Sequence, residues 1–190
     1  EAGEFTPEGI ARAVDVLSGH LKRARYFNCV RTDIFATAVL RNCTNSRKAI
    51  RAIEEAIGAP VNLLSARDEA HLSFTGASCD RTIEKGTVVD LGGGSTELIR
   101  VEEGRDFDDV SIGQGSLSSY AGYVEFVMPQ ADEVEAIERA FLDQVAKTPV
   151  DLKKYRAETL YGVGGSARAA AKLYAQMTGE SCRPKTLTPE

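Results

Sequence analysis

The stretch Thr87-Val88-Val89-Asp90-Leu91-Gly92-Gly93-Gly94-Ser95-Thr96-Glu97-Leu98-Ile99 decides how this chain folds. Its β-branched residues lead into three consecutive glycines, which predicts a buried strand entering a tight turn, and a second β-prone run follows. Glycine lets a ligand approach the backbone closely, so the N–H groups of such a turn can bind an anion. One acid precedes the glycines and another follows them. We therefore expect a glycine loop between two strands that is able to hold an anion.

Two common phosphate-binding motifs do not fit this stretch. A P-loop requires Gly-Lys-Ser/Thr after the glycines, and the dinucleotide fingerprint requires a helix, whereas the next element here is predicted to be a strand. A hairpin loop with an acid on each side suits another chemistry, in which backbone amides hold a phosphate while a carboxylate positions Mg²⁺ or water. A purely structural hairpin is the alternative, and the flanking acids are then incidental.

Composition restricts the classes of function. The 190 residues are 43% hydrophobic and 27% charged, as in a globular protein with a core. No apolar run approaches the ~20 residues of a transmembrane helix, so no membrane partner is expected. The net charge of −5 argues against general nucleic-acid binding, which needs a basic face. A polyanionic substrate would therefore need a local basic cleft.

The four cysteines, Cys29, Cys43, Cys79 and Cys182, include no C-x-x-C pair, and two histidines are too few for a zinc cluster. Scattered buried thiols in a reducing cytoplasm are the simplest interpretation. The N-terminus has neither an initiator Met nor the pattern of a signal peptide, so we expect the sequence to be part of a longer protein.

Upstream of the glycine stretch, helices and strands alternate as in parallel α/β proteins, whose ligands bind at the carboxyl ends of strands. Arg41 and Glu69 each follow a predicted strand end. The alternative is that Arg41 is an ordinary surface base and Glu69 a solvated helix residue. The predicted elements are a helix over 7–23 with Thr6 as its N-cap, a strand over 26–35, a helix over 46–57 ended by Gly58, a strand over 61–64 and a helix from 65 to about 76.

Downstream, a polar connector is predicted over 79–86, and the hairpin continues into an antiparallel meander with strands over 96–101 and 107–112. Residues 113–116 predict a flexible loop, and 131–147 predict a helix. A strand near 159–163 meets the glycines of the last turn, and a helix follows over 167–177. A helix N-terminus behind a glycine turn favours anion binding, although a tight turn alone also needs glycine.

Four segments, in this order, resemble the exopolyphosphatase / guanosine pentaphosphate phosphatase family, a branch of the actin, sugar-kinase and heat-shock ATPase superfamily. The third segment, Asp90 to Glu97, matches the family's Asp-(Ile/Leu)-Gly-Gly-Gly-Ser-Thr-Glu loop at every position. The other segments are Ala36 to Cys43 with Asn45, Leu64 to Ala70, and Gly162 to Ala167. Together they extend over nearly the whole chain.

This resemblance implies an α/β fold of two actin-like (ribonuclease H-like) lobes, in which mixed sheets are flanked by helices. Residues 1–84 would be the C-terminal part of the first lobe and residues 85–190 the second lobe. The family's N-terminal phosphate loop, of the type Asp-x-Gly-Ser-Asn-Ser, is not found in the sequence. We therefore expect the first lobe to be incomplete in this fragment, which need not be active alone.

The resemblance also implies roles for individual residues. Glu69 aligns with the carboxylate that deprotonates the attacking water, and Asp90 and Glu97 align with acids that position Mg²⁺ and water. Arg41 would neutralise substrate charge through a planar bidentate contact. The terminal phosphate would be bound by Gly92, Gly93, Gly94, Ser95 and Thr96, and the same cleft would be lined by Gly164, Gly165 and Ser166. Three positions depart from the family pattern: His71 replaces an Arg, Ala66 a Gly and Cys43 an Ala.

The implied function is Mg²⁺-dependent release of terminal phosphate from polyphosphate or guanosine pentaphosphate by a cytoplasmic bacterial hydrolase. The sequence leaves open which of the two substrates is preferred. The alternatives are an actin-like ATPase or sugar kinase, which the glycine loops also suit, and a non-catalytic module that senses polyphosphate or a nucleotide. Members of the family are often dimers, so a homodimer is a further expectation; no nucleic-acid partner is expected.

Overall fold

The computed structural model describes residues 3–80 and 82–179, and the chain divides into two compact units, Glu1–Ser65 and Ala66–Glu190. Both units combine helices with strands, so the predicted α/β class is confirmed. The division falls before the helix that carries Glu69, because this helix packs on the sheet of the second unit. The predicted lobe boundary after residue 84 concerns the whole protein and stays a prediction.

The first unit holds three helices around a short parallel strand pair. Strand β1 pairs in parallel with β2, with Phe35 opposite Asn62 and Ala36 opposite Leu63, as the alternation of elements predicted. Ile50, Ile53 and Ile57 of α3 form the core with the apolar face of α1. The elements are α1 (Pro7–Tyr26), β1 (Phe35–Ala36), α2 (Ala38–Arg41), α3 (Ser46–Ile57) and β2 (Asn62–Leu63).

Helix ends in this unit follow from local chemistry. Thr6 caps α1, because its hydroxyl oxygen accepts the N–H of Gly9 at 3.1 Å and Pro7 occupies the first helical position. Helix α3 ends at Gly58, which has a left-handed φ of 67°. Both boundaries were predicted.

The predicted strand over 26–35 is wrong except at its last residue. Helix α1 continues to Tyr26, and Asn28 then turns the chain with a φ of 52°. The rings of Tyr26 and Phe27 are 81% and 72% exposed, so these β-prone residues have no sheet face to pack against. Propensity for a strand is expressed only where a partner strand supplies that face.

The second unit is built on a four-stranded mixed sheet in the order β5-β4-β3-β6. Strands β3, β4 and β5 form the predicted antiparallel meander, and β6 lies parallel to β3. Its elements are α4 (Ala66–Asp80), β3 (Gly86–Leu91), β4 (Thr96–Glu102), β5 (Arg105–Ile112), α5 (Ser116–Tyr123), α6 (Ala131–Lys147), a 3-10 helix (Leu152–Tyr155), β6 (Leu160–Val163) and α7 (Gly164–Thr178).

One face of this sheet changes from apolar to acidic along its strands. Val88 lies opposite Ile99, and these two residues pack with Phe74 of α4 in the core. Two positions further along the same face, Asp90 lies opposite Glu97. Because side chains alternate along a strand, the face that forms the core near one end of β3 carries two carboxylates at the other.

Further boundaries differ from the sequence prediction, among them the end of α1 at Tyr26 and the start of β5 at Arg105. Helix α4 extends to Asp80, so the predicted connector over 79–86 begins later, and α5 follows the predicted loop over 113–116 without a sequence signal that we recognised. Helix α7 begins at Gly164, three residues earlier than predicted. Packing against the sheet favours the longer α4 and α7, whereas hydrogen bonds to the glycine loop hold the start of α5, and periodicity within one segment reports neither.

The prediction of buried thiols is also wrong. Cys29 and Cys79 are exposed and Cys43 is intermediate, while Cys182 lies outside the described residues. Cys29 falls in the turn after α1, and Cys79 lies in the last turn of α4. Across the described ranges, no helix is both long and apolar enough to cross a bilayer.

Candidate functional site

The glycine loop is a short connection between β3 and β4. Leu91 pairs with Thr96 in the ladder, and the N–H of Gly92 donates to the carbonyl of Ser95 at 3.0 Å, which closes the loop. Asp90 and Glu97, one residue further from the loop on each side, form a directly opposed pair. The predicted strand–loop–strand is therefore confirmed, with the two acids on one face at its base.

Helix α5 holds this loop from one side. The N–H groups of Ser116 and Leu117 donate to the carbonyls of Gly92 and Gly93 at 2.8 and 2.9 Å, and that of Ser118 also donates to Gly93 at 2.9 Å. The side chain of Ser116 adds a bond to the Gly92 carbonyl at 3.0 Å. The first amides of α5, which lack partners within the helix, are thus used to fix two peptide groups of the loop.

This arrangement directs two loop amides away from α5. In a trans peptide the C=O and the next N–H point in opposite directions, so the N–H groups of Gly93 and Gly94 face the side opposite α5. Within residues 3–80 and 82–179, no hydrogen bond occupies either amide. Adjacent N–H donors without an internal acceptor are what an anion-binding loop requires.

Gly115, the N-cap of α5, permits this close approach. A Cβ atom at Gly115 would lie 2.6 Å from the Gly92 oxygen and 2.6 Å from the Gly93 carbonyl carbon. Its φ of −136° and ψ of −174° are ordinary extended values. Glycine is therefore needed here for space between two backbones and not for an unusual conformation.

Asp90 receives contacts from two further segments. The hydroxyl of Ser73, on α4, donates to Asp90 Oδ2 at 2.5 Å. Gly164, with a left-handed φ of +90°, lies so close that a Cβ there would be 3.0 Å from Asp90 Oδ1. The late glycine turn is thus brought to the first glycine loop, because β6 pairs in parallel with β3 and both strands end at the same edge.

Glu97 is a buried carboxylate, only 1% exposed. Ser111 of β5 lies opposite it and donates a hydrogen bond to Glu97 Oε1 at 2.8 Å. Burial raises the pKa of Glu97, hydrogen bonds from Ser95 and Ser111 lower it, and the negative charges of Glu69 and Asp90 raise it further. The net pKa lies above its ordinary value because desolvation is the largest of these causes.

Glu69 lies in the first turn of α4, where a negative charge is stabilised by the helix dipole. It is half-buried and stands one helical turn before Ser73, so both side chains project from the same side of the helix. Ser73 is hydrogen-bonded to Asp90, so this side of α4 faces the acids of the hairpin. The structure therefore brings together the three predicted catalytic acids, Glu69, Asp90 and Glu97.

The two hydroxyls of the loop point into the protein. Thr96 is 4% exposed and donates to the Gln114 carbonyl at 2.7 Å, while Ser95 is 3% exposed. Both residues thereby support the loop from inside, and their predicted phosphate contacts stay predictions. Gly165 and Ser166 form the first turn of α7 beside Gly164.

Arg41 belongs to the first unit. It ends α2, which follows β1, and its Nη1 donates to the carbonyl of Leu64 at 2.9 Å, just after β2. The side chain therefore lies at the carboxyl ends of the two parallel strands, as the sequence order predicted. Its role toward a phosphate at the glycine loop stays a prediction.

Carboxylate oxygens are the ligands that Mg²⁺ prefers, and this ion usually takes only one or two of them beside waters and phosphate oxygens. Asp90 and Glu97 supply such a pair. Among the described residues, no three His, Cys, Asp or Glu side chains form a ready-made metal-binding group. The oxygen donors of Asp90 and Glu97 are of the type that Mg²⁺ accepts, and the binding of Mg²⁺ here stays a prediction.

Three supporting residues were missed at the sequence level. Ser73 could have been found from its spacing of four residues after Glu69, and Ser111 from the register of the meander. Gly115 had been assigned only to a flexible loop. Its role depends on contact with another segment, so its own neighbours in sequence carried no signal for it.

Several solved structures that resemble this chain are described as exopolyphosphatases or as Ppx/GppA proteins. An exopolyphosphatase from Cytophaga hutchinsonii has a TM-score of 0.77 and 21% identity, with 94% of this chain and 58% of that chain covered. An Aquifex aeolicus member of the Ppx/GppA family has a TM-score of 0.65 and 22% identity, with 91% of this chain and 55% of that chain covered. These similarities show a shared fold.

A sequence relative comes from Haemophilus influenzae and carries the name "Putative exopolyphosphatase". It is 26% identical over 180 residues, which are 92% of this chain and 54% of that protein. The chain thus spans about half the length of the relatives that it matches. The profile of the Ppx/GppA phosphatase family matches residues 1–189, and the chain belongs to that family.

Proposed function

We propose that this chain is part of a phosphohydrolase that releases terminal phosphate from inorganic polyphosphate. The observation that carries the proposal is the convergence, at one end of one sheet, of two loop amides without internal acceptors and three carboxylates. Amides can hold a phosphate, and carboxylates can accept a proton or hold a cation, so the two sets of groups together suit hydrolysis.

In this proposal the N–H groups of Gly93 and Gly94 bind oxygens of the terminal phosphate. Glu69 accepts a proton from the water that attacks the terminal phosphorus atom. This attack breaks the phosphoanhydride bond, and the shortened polyphosphate leaves. Ser73 keeps the carboxylate of Asp90 in one orientation, and Gly164 leaves room for that orientation. The buried hydroxyls of Ser95 and Thr96 support the loop from the interior of the protein, and their contact with the phosphate stays a prediction.

Asp90 would hold Mg²⁺, with Glu97 beside it. When bound, the ion would neutralise charge on the phosphate oxygens. Burial is the main cause that raises the pKa of Glu97, and the negative charges of Glu69 and Asp90 raise it further because the three carboxylates repel one another. A cation at this place would lower the repulsion, which is the physical reason for the assignment.

Guanosine pentaphosphate remains a second candidate substrate, because it also ends in a phosphoanhydride that the same groups could hydrolyse. An actin-like ATPase or kinase and a sensing module without turnover are the other candidates. Turnover of ATP without turnover of polyphosphate would favour the kinase class, and tight binding of polyphosphate without phosphate release would favour the sensor.

The decisive experiment measures phosphate release from polyphosphate by the intact protein with Mg²⁺ and compares Glu69→Gln. The substitution keeps the size and removes the basic oxygen, so we expect kcat to fall by at least about 10²-fold. Glu135→Gln on the exposed surface of α6 is the matched control. Equal rates for Glu69→Gln and the control would refute the role of Glu69, and no release by the wild type would refute the proposed activity.

A further inference from the structure

The second unit contains a basic pocket at the end of the sheet away from the glycine loop. Its volume is about 500 Å³, and it is lined by the start of β3, the end of β4 and the segment from the 3-10 helix to β6. Its five basic side chains are Lys85, Arg100, Lys153, Lys154 and Arg156.

Most of these bases have no ion-pair partner among the residues that the structure describes. Of the two acids that line the pocket, Glu102 forms an ion pair with Arg100, so Glu158 alone faces the other four bases. In the part of the chain that the structure describes, Lys85, Lys153, Lys154 and Arg156 form no ion pair. The chain as a whole carries a charge of −5, so this concentration of bases contrasts with its composition.

The backbone that carries these bases is fixed. Tyr155, between Lys154 and Arg156, is 6% exposed, and its carbonyl accepts a hydrogen bond from the Thr87 hydroxyl at 2.7 Å. Asp151 caps the 3-10 helix by accepting the N–H of Lys153 at 3.0 Å. Gly86, which lines the pocket, has a φ of +144° and lies close to the Tyr161 ring. The bases therefore extend from an ordered frame.

The pocket is separate from the candidate catalytic site. Gly86 and Leu91 are the two ends of β3, and at ~3.3 Å per residue these ends lie about 16 Å apart. On the neighbouring strand β4, Val101 pairs with Gly86 and Thr96 pairs with Leu91, so the pocket and the loop are separated by the same distance along β4. A single phosphate group cannot reach both places.

We propose that this pocket is a second anion-binding site that takes an oligophosphate. Several unpaired bases around a cavity of this size suit a ligand with several negative charges, and like-charge repulsion among the bases falls when such a ligand binds. The ligand is either a distant part of a polyphosphate substrate or a separate oligophosphate. The site does not require hydrolysis at the glycine loop, so it can be present even if the proposed activity fails.

The test follows backbone amide signals by NMR while sodium tripolyphosphate is added to the ¹⁵N-labelled chain. We expect saturable shifts at Gly86, Thr87 and Ala157, separate from any shifts in the glycine loop. The triple variant Lys153→Gln/Lys154→Gln/Arg156→Gln should weaken the pocket affinity on the order of tenfold, because three charge contacts are lost. Arg139→Gln/Lys147→Gln/Lys172→Gln, which neutralises three exposed bases on α6 and α7, is the matched control.

Absence of shifts at the pocket, or equal weakening in the control, would overturn the proposal. If the triple variant unfolds, as a loss of amide signal dispersion would show, the single variant Lys85→Gln is used instead. Lys85→Gln must then weaken the affinity of the pocket for tripolyphosphate. Hydrolysis assays then distinguish the two sources of ligand. If the triple variant has a raised KM for long polyphosphate and an unchanged KM for tripolyphosphate, the pocket binds a distant part of the substrate. If its KM is unchanged for both, the pocket binds a separate oligophosphate. Hydrolysis that is absent in the wild type refutes the activity but leaves the pocket result intact.

Discussion

Gly115→Ala is predicted to displace the glycine loop without touching any catalytic side chain. The added methyl carbon would lie 2.6 Å from the Gly92 oxygen and 2.7 Å from the Gly93 oxygen, whereas ordinary contact begins at 3.4 Å. The loop and α5 must therefore separate by about 0.8 Å. Because the obstructing atoms are backbone atoms, no side-chain rotation can relieve the contact.

This displacement sets the expected magnitudes. Overpacking of this kind lowers the free energy of unfolding by about 1–3 kcal/mol. For a chain of this size, each kcal/mol lowers Tm by about 2–4 °C. A misplacement close to 1 Å can reduce turnover by about 10²-fold. We therefore expect Gly115→Ala to remain folded, with a lowered Tm and a kcat for phosphate release that is lower by one to two orders of magnitude.

The matched control is Gly113→Ala, two residues earlier in the same loop. There the nearest atom to an added Cβ is Gln144 Oε1 at 3.8 Å, which is an ordinary contact. Its kcat and Tm should stay near the wild-type values. A Gly115→Ala variant with wild-type kcat would refute the argument that α5 fixes the loop in its working conformation, and so would an equal loss in Gly113→Ala.

Two further predictions concern the carboxylates. Burial raises the pKa of Glu97 above 4.5, so its ionisation destabilises the fold; this penalty is absent below the unfolded-state pKa and grows as pH rises from there to the folded pKa. Glu97→Gln should therefore gain free energy of unfolding relative to wild type as the pH rises above the unfolded-state pKa of about 4, as measured by urea unfolding at several pH values; a pH-independent difference would contradict this. Ser73→Ala removes a hydrogen bond to Asp90 worth about 1.5 kcal/mol, so kcat should fall about tenfold and the Mg²⁺ requirement should rise. Thr75→Ala, which loses only a bond to its own helix, should change neither quantity, and equal kinetics for both variants would exclude a positioning role for Ser73.

Local sequence signals predicted those elements whose ends depend on their own residues. Thr6 and Pro7 start α1, Gly58 ends α3, and the apolar periodicity over 131–147 gives α6 with its observed bounds. The strand predicted over 26–35 failed because its aromatic residues have no sheet to cover them. Helix α5 was missed because its N-terminus is stabilised by carbonyls of a distant loop.

The sequence by itself determined the glycine loop, the acids beside it and the order of the segments that identify the family, because these features depend on residue type and spacing along one segment. Only the tertiary structure decided which groups meet. The pairing of β3 with β4 sets Asp90 against Glu97, α4 brings Glu69 and Ser73 to them, and α5 turns the loop amides outward. These contacts join residues that are distant along the chain, and packing of helices on the sheet fixes them, so no local pattern could specify them.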